Sequence, residues 1–523
     1  MRFGLVSLYS FRPHVEHLYY VSTLLKDAGH ELFFLTCDGA LENCYARSIK
    51  GTSKIAECPA CIAGGVRSYP VAKITSIKNR KKVVLNDDEK KLLSFSSACT
   101  LLRTEALEDI QSPEYETVNK SFHSSVEMAF ENATRWIESN HLDGVICFNG
   151  RMDATRAIIY ACERLAIPFM TLERPWFSDG LQFNPQGNCL SLKDVLRLNR
   201  QYKDAPLTLT QARYAAQLIA SRFVRTNLKE WRAYNLNAER ANWPVGAVAG
   251  LKALLLPSSR GEFQGHPERE ALWGDYTNGF DAVLAGLNVP LQNIVLRCHP
   301  NWGEKIGLAD GSNSERLYTS WAKEKGIHCI PSKATVSTFD LIQECDILIV
   351  NGSSAALEAG ACGKKIICLG HSSYEDAGIA VHINGEDEME NLCLLGQHDP
   401  AKTIRYALRY AYTMSRRFAQ CVEYVEAITP TRYRYYAGAD SERIVKALIS
   451  GKLDPDDDEI DVNDKSETEI VSMLIQKRWE ELNVKKMNNS SNKPPLDIGR
   501  RHGLRWLDVL REKLPRGDLW HGK

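Results

Sequence analysis

Two strand ends in the second half of the sequence carry residues suited to holding a phosphate. The apolar run NIVLRCHP closes on Arg297, His299 and Pro300, with Asn301 next. The run DILIVNG closes on Asn351, Gly352, Ser353 and Ser354, and a helical stretch carrying Glu358 begins at once. Free backbone N–H groups and the dipole at a helix start favour an anion. Gly352 lets the backbone approach closely, the serine hydroxyls add donors, and His299 at a neighbouring strand end could donate to the same phosphate. Glu358, one turn further on, could accept from ribose hydroxyls. Gly-Ser-Ser alone reads equally well as a helix cap, since Ser is a favoured N-cap residue. Both features at strand ends of one sheet, in this order, point instead to a nucleotide mono- or diphosphate site. The other His-Pro pair, His266-Pro267, ends no strand and reads as loop.

The elements that must position these residues alternate regularly. RFGLVSLYS, a helical stretch over 14–28 and ELFFLTC give β-α-β order. DGVICFN, MDATRAIIYACERL and IPFMTLE repeat it after a long amphipathic helix over 113–140. A second alternation runs from LKALLLP through KIICLG. Strands alternating with helices imply parallel sheets covered on both faces. The expected architecture is therefore α/β: two doubly wound Rossmann-type lobes facing a cleft, with ligands beyond the carboxyl ends of the strands. The expected units are a first lobe over 1–247, a second over 248–397, closing helices over 398–450, a flexible acidic linker over 451–465 and a basic helical tail over 466–523. Ser466 and Glu469 have capping-box spacing at the start of a tail helix.

Bulk composition sets limits. A length of 523 residues suggests two or three domains, and 44% hydrophobic with 25% charged residues is ordinary for a soluble globular chain. Lys+Arg and Asp+Glu both count 65, so no global charge directs the chain to nucleic acid. The fifteen cysteines lie mostly in apolar contexts, the pattern of reduced thiols. The N-terminus lacks signal-peptide features, and no stretch approaches the roughly 20 apolar residues of a membrane span. A cytoplasmic protein is expected, touching a membrane only from its surface.

The stretch LRCHPNWGEK and the later FDLIQECDILIVNGSSAALEAGACGKKIICLGHSSYEDAG resemble the capsule polysaccharide synthesis family, which includes bacterial transferases of the two-lobed GT-B type. The residues that carry the resemblance are Arg297, His299, Pro300, Asp346, Ser353, Ser354, Glu358, Ala359, Gly363, Lys364, Gly370 and Tyr374. Upstream, Ser258, Ser259 and Glu262 in LLPSSRGEF resemble the family's donor-side loop. The resemblance covers most of 250–380. It implies a glycosyltransferase taking a sugar from a nucleotide-activated donor, with CMP-Kdo one plausible class. The acceptor would be a glycan or glycolipid of a capsule or lipopolysaccharide. No Asp-x-Asp triplet precedes the donor site, since Asp456-Asp457-Asp458 lies in the acidic run. Transfer is therefore expected to need neither metal nor cofactor, with His299, Arg297, Lys305 and the helix start taking up the leaving phosphate's charge. A teichoic-acid-type polyol-phosphate transferase, a sugar-nucleotide epimerase or hydrolase, and a non-catalytic assembly partner are the alternatives.

In the first lobe, Asn149, Gly150 and Arg151 follow one strand, and Glu173 and Arg174 follow the next. They resemble elements of surface-polysaccharide transferases. Glycosyl transfer needs a base on the acceptor hydroxyl or stabilisation of an oxocarbenium-like centre. Glu173 and Asp153 are the candidate bases, with Arg151 beside them; a buried Arg151–Glu173 ion pair is the structural alternative. Cys37, Cys44, Cys58 and Cys61 could hold a structural zinc or be ordinary reduced thiols. From Lys477 onward twelve Lys/Arg face six Asp/Glu. The last segment sets Leu504, Leu507, Leu510 and Leu514 roughly on one face, with Arg500, Arg501, Arg505, Arg511 and Trp506 around them. Such a helix could lie on an anionic membrane or pack on the body of the protein.

Overall fold

The computed structural model describes residues 1–79, 85–270, 272–306, 309–463, 465–484 and 493–513. Two six-stranded sheets dominate it. The first contains β1 (Arg2–Ser7), β2 (Glu31–Thr36), β3 (Ile74–Ser76), β4 (Gly144–Phe148), β5 (Phe169–Glu173) and β6 (Gln182–Pro185), in the order β3-β2-β1-β4-β5-β6. All its pairings are parallel except β5–β6. The second contains β7 (Ala253–Leu256), β8 (Ile294–Arg297), β11 (His328–Ile330), β12 (Ile347–Val350), β13 (Lys365–Cys368) and β14 (Val381–His382), ordered β11-β8-β7-β12-β13-β14 and wholly parallel. A two-residue ribbon of β9 (Lys305–Ile306) and β10 (Ala309–Asp310) lies between β8 and β11 in sequence. The unbroken apolar runs follow from this arrangement: β7 and β12 are buried at every residue because helices cover both faces.

In each sheet the chain starts in the middle, builds outward one way, then returns to build the other side. The reversal falls between β1 and β4 and between β7 and β12, and opens a crevice at the carboxyl ends of those strands.

Three expectations about the divisions are corrected. The helix Leu209–Phe223, placed by sequence in the first lobe, packs against Pro400–Tyr412, Lys465–Ile475 and Ala356–Ala361. One apolar cluster therefore runs from Phe3 and Leu5 through Ala212 and Ile219 to Leu254 and Leu348. The closing segment is not all helix: it includes the hairpin β15 (Val425–Thr429) and β16 (Arg432–Tyr436). Its last helix, Ser441–Ser450, returns to the first lobe and packs on β4, β5 and β6.

The acidic run is also not free in solvent. Asp456 accepts from the backbone N–H groups of Cys421 and Val422, and Leu453 is fully buried. Glu467, with no exposure, accepts from Arg405 and Arg409 and from the Leu207 N–H. Ser466 lies inside the first turn of Lys465–Ile475 and is not its N-cap.

The basic segment 493–513 packs on the body. Its β17 (Pro495–Leu496) adds to β16. Arg500 is buried and donates to Ala63 O, and Arg501 donates to Tyr69 O and Val71 O. Arg500 is thus spent on the first lobe, while Arg501 donates to carbonyls there and stays exposed. Trp506 and Val509 are exposed on the helix Trp506–Lys513. Leu514 and the Leu510 side chain lie outside the described residues. No described helix is long and apolar enough to cross a membrane.

Candidate active site

A cavity of about 320 Å³ lies at the reversal point of the second sheet. The carboxyl ends of four strands supply its floor: Leu256 and Pro257 after β7, His299 and Pro300 after β8, Ala334–Val336 after β11, and Ser353 and Ser354 after β12. The interlobe connector, around residues 227–238, supplies its roof, and Trp176 and Arg222 form a side wall. The connector is held there by a bridge between Glu239 and Val336, with Glu239 N donating to Thr335 O at 2.6 Å.

His299 is the best defined group in the cavity. Its Nδ1 accepts from the Asn301 N–H at 3.2 Å, and burial pushes its pKa down. The ring is therefore neutral, and Nε2 carries the remaining hydrogen as a donor. Gly352, at φ +100°, turns the chain sharply out of β12, a conformation that suits glycine. Ser353 Oγ accepts from the Ala355 N–H, so it caps the turn. Ser354 is exposed, with its hydroxyl free among the described residues. The helix that follows, Ala356–Ala361, has only six residues, so these side chains carry more of the anion chemistry than a helix dipole could.

Glu358 is 2% exposed. Its Oε1 accepts from Arg222 at 2.6 Å, and its Oε2 has no hydrogen-bond partner among the described residues. Burial raises its carboxyl pKa. Arg222 is also paired with Glu230 and lies over the Trp176 ring, 4.5 Å from its centroid.

The other donor-site candidates do not line the cavity as ligands. Ser258 donates through its N–H and hydroxyl to Asn351 Oδ1, and Asn351 Nδ2 donates back to Ser258 O; this exchange ties the end of β7 to the end of β12. Ser259 Oγ accepts from Trp302 Nε1 and donates to Asn301 Oδ1, while Asn301 Nδ2 donates to Glu262. Arg297 does reach the cavity wall, but its guanidinium donates to the carbonyls of Cys298, Pro331 and Ala334, so it braces loops. Lys305 is exposed on β9, away from the cavity lining. Tyr374 is buried against Cys368 behind the floor. His266 lies in a loop, as expected.

At the first lobe's crevice, Glu173 Oε1 lies 3.2 Å from His14 Nε2, and its Oε2 accepts from Asn149 Nδ2 at 3.2 Å. Burial raises the Glu173 pKa and lowers those of His14 and His17. A protonation-competent carboxyl beside a neutral histidine is thus held at the strand ends. Arg174, next in sequence, stacks 4.1 Å from the ring centre of Trp231, which lines the cavity.

Asp153 does not qualify as a base. It has no exposure, accepts from Tyr9 OH, Ser97 Oγ and the Tyr45 N–H, and burial pushes its pKa up to about 6. Arg151 makes no ion pair with Glu173. It donates to Ser96, Thr100 and, across the lobes, to Glu262 O.

That last contact belongs to a clasp. The helix Asp87–Leu102 and the turn after it meet the loop 259–266 of the second lobe. Arg103 donates to Asn301 O and Glu304 O, Thr104 to Gln264, and both Glu105 oxygens accept from Arg260 N at 3.2 Å. At Gly261 a Cβ would come within 3.0 Å of backbone atoms of Cys99 and Thr104, so only glycine allows this approach.

Of the four cysteines, Cys37 lies near enough to Cys58 and Cys61 to act on them electrostatically. Cys44 precedes the helix Tyr45–Lys50, and Cys58 and Cys61 lie on the helix Lys54–Gly64. Among the described residues no three His, Cys, Asp or Glu side chains form a set that could hold a metal. Burial pushes the Cys44 thiol up to about 12 and raises those of Cys58 and Cys61, as for ordinary protonated thiols.

Sequence reasoning missed His14, His17, Arg222, Trp231 and Arg232. The signal for the first pair was available: RPHVEH directly after a first strand places two histidines one helical turn apart.

No family model and no curated protein matches the chain. Solved structures that resemble it include KpsC of Thermosulfurimonas dismutans, a beta Kdo 2,4 transferase, at 14% identity over 64% of this chain and 87% of that one, with a TM-score of 0.32. Another is the UDP-GlcNAc 2-epimerase of Neisseria meningitidis bound to UDP-GlcNAc, at 12% identity, 78% and 94% coverage and a TM-score of 0.28. The spinosyn rhamnosyltransferase SpnG aligns at 10% identity, with 79% and 96% coverage and a TM-score of 0.25. These are loose superpositions, and the functional reading rests on the site's own residues.

Proposed function

We propose that this protein is a glycosyltransferase that moves a sugar from a nucleotide-activated donor, with a CMP-activated acid sugar one candidate. The acceptor is a glycan or glycolipid of a bacterial surface polysaccharide, capsule or lipopolysaccharide, presented on the cytoplasmic side. The observation that carries this reading is the cavity at the second sheet's reversal point. It brings a neutral His299 with a free Nε2–H, the Ser354 hydroxyl and Glu358 to one place. His299 and Ser354 suit a phosphate, and the Glu358 carboxylate, fixed by Arg222, suits a ribose hydroxyl.

In the proposed reaction the acceptor oxygen bonds to the anomeric carbon as the bond from that carbon to the donor phosphate oxygen breaks. The acceptor proton passes to Glu173, which His14 and Asn149 orient. The electron pair leaves with the phosphate, whose charge is met by His299 and Ser354. Such a leaving group can be stabilised by protein donors alone, which is the metal-independent reading.

Thermal stabilisation by CMP, CDP, UDP, GDP, dTDP and ADP tests it, because a ligand of the folded state raises the unfolding temperature. One nucleotide should stabilise the protein, and His299→Ala and Ser354→Ala should weaken the shift. A CDP response with release of CMP from CDP-glycerol would favour the polyol-phosphate alternative. Donor turnover without acceptor would favour the epimerase. No response from any nucleotide would sink the donor site.

A further inference from the structure

The cavity contains a cation, Arg232, whose guanidinium forms no ion pair and meets no carbonyl among the described residues. Every other arginine around the cleft is committed. Arg222 is paired with Glu230 and Glu358, and Arg297 with three carbonyls. Arg103 and Arg151 donate to carbonyls across the lobes, and Arg174 donates to Pro430 O and stacks on Trp231.

Arg232 lines the same cavity, on the connector, and is partly buried. Its Nε is buried with no hydrogen-bond partner, and no carboxylate forms an ion pair with it among the described residues. The phenol of Tyr234 is a polar neighbour, and it in turn donates to Glu304 Oε2. The Tyr234 ring stands edge-on to His299 at 5.9 Å, and the lowering of the His299 pKa, due first to burial, is reinforced by the positive charge of Arg232. The guanidinium and His299 therefore face the same space.

The connector is preorganised to hold it there. Arg232 sits at φ +53°, a left-handed conformation that costs a non-glycine residue on the order of 1 kcal/mol. It persists because neighbouring contacts enforce it: Asn235 Nδ2 donates to Arg222 O at 2.7 Å and to Asn227 Oδ1 at 3.1 Å. A half-buried guanidinium without a counter-ion is costly unless a ligand supplies one, and a planar fork of N–H donors matches a phosphate.

We propose that Arg232 is the anion-binding residue of the cavity, pairing with the diphosphate or terminal phosphate of the nucleotide opposite His299. This rests on the donor-site reading. It adds that the charge recognition comes from the connector between the lobes, while the strand ends of the second sheet supply the neutral donors.

The test is calorimetric titration of the full chain with the nucleotide that stabilises it best, in nucleoside, monophosphate and diphosphate forms. Wild type is compared with Arg232→Met, Arg232→Lys and His299→Ala. Far-UV circular dichroism and the unfolding midpoint check that each variant is folded. In Arg232→Met, affinity for the phosphorylated forms should fall about tenfold or more, while that for the nucleoside stays unchanged. Arg232→Lys should recover part of the loss, and raising salt should narrow the gap between wild type and the methionine variant. Diphosphate affinity in Arg232→Met equal to wild type, alongside a loss in His299→Ala, overturns the assignment and leaves the donor site standing. If no nucleotide binds wild type, inorganic pyrophosphate is the probe. Stabilisation by pyrophosphate that vanishes in Arg232→Met keeps the anion site without the donor reading, and no stabilisation removes both.

Discussion

The two lobes share one strand order, yet the acidic groups at their reversal points are met in different ways. In the first, the carboxylates are met within the protein, Asp153 by Tyr9, Ser97 and the Tyr45 N–H and Glu173 by Asn149 and His14, although His14 Nδ1, His17 Nε2 and Arg151 Nε have no partner among the described residues. In the second, polar groups are left open: the Ser354 hydroxyl, the outward nitrogen of His299, Glu358 Oε2 and Arg232 Nε have no partner in the protein among the described residues. Buried polar atoms are costly when unpaired, so the fully paired Asp153 is structural, while Glu358 Oε2 and Arg232 Nε await a ligand. A shared strand order thus places a site but does not say whether its groups are met by the protein itself.

Substitutions should separate the two behaviours. The largest effect is expected from Asp153→Ala, which strands three buried donors. It should cost about 3 kcal/mol or more in urea unfolding. Next comes Gly261→Ala. Its methyl meets backbone that cannot yield, so a loss of about 1–3 kcal/mol is expected. A larger radius of gyration by small-angle scattering should show the clasp opening.

Glu105 gives the clasp a pH dependence. Burial holds its carboxyl pKa at about 8, above the ordinary 4.5. The protonated form is the one favoured in the folded state. Its stabilising contribution is therefore complete below about pH 4.5 and is lost as pH rises through 8, by up to about 1.4 kcal/mol per unit. Glu105→Gln should flatten that slope in unfolding measured across the same range.

In the second crevice the losses should appear in binding and not in folding. His299→Ala should weaken the stabilising nucleotide about tenfold, read as Kd, with little change in unfolding midpoint. The smallest effect is expected from Tyr374→Phe. Its hydroxyl faces Cys368 behind the floor, so nucleotide affinity should equal wild type. A weakened nucleotide in that variant would break the distinction between the two crevices.

What the sequence made legible follows the same division. Apolar runs of strand length, separated by helical periods, disclosed both sheets, because parallel strands are buried on both faces. His299, Ser354 and Glu358 were legible because residues just past a strand's carboxyl end must reach the crevice. Arg297 and Tyr374 carried the same resemblance but are spent on partners within the protein. Arg297 is the last residue of β8, and alternation along the strand turns it to the loop carbonyls. Asp153 looked like an acid beside a cleft, and only packing shows three donors closing over it. Arg232 was illegible because the connector has neither period, and its conformation depends on Asn227 and Asn235 folding the loop back on itself. The acidic run read as solvated because charge counts carry no information about partners. The N–H groups that take up Asp456 lie some thirty-five residues away in sequence.

The return of Ser441–Ser450 to the first lobe has a consequence for how the molecule is made. Leu448 lies close enough to β4 that a Cβ at Gly144 would meet it at 2.9 Å, and Ile444, Ala447 and Leu448 are all buried. The first lobe is thus assembled from segments far apart in sequence. On the ribosome its sheet waits with an uncovered face while the second lobe, contiguous in sequence, emerges whole. A nascent chain stopped before residue 441 should expose more apolar surface on the first lobe, and recruit more chaperone, than one extended past 450.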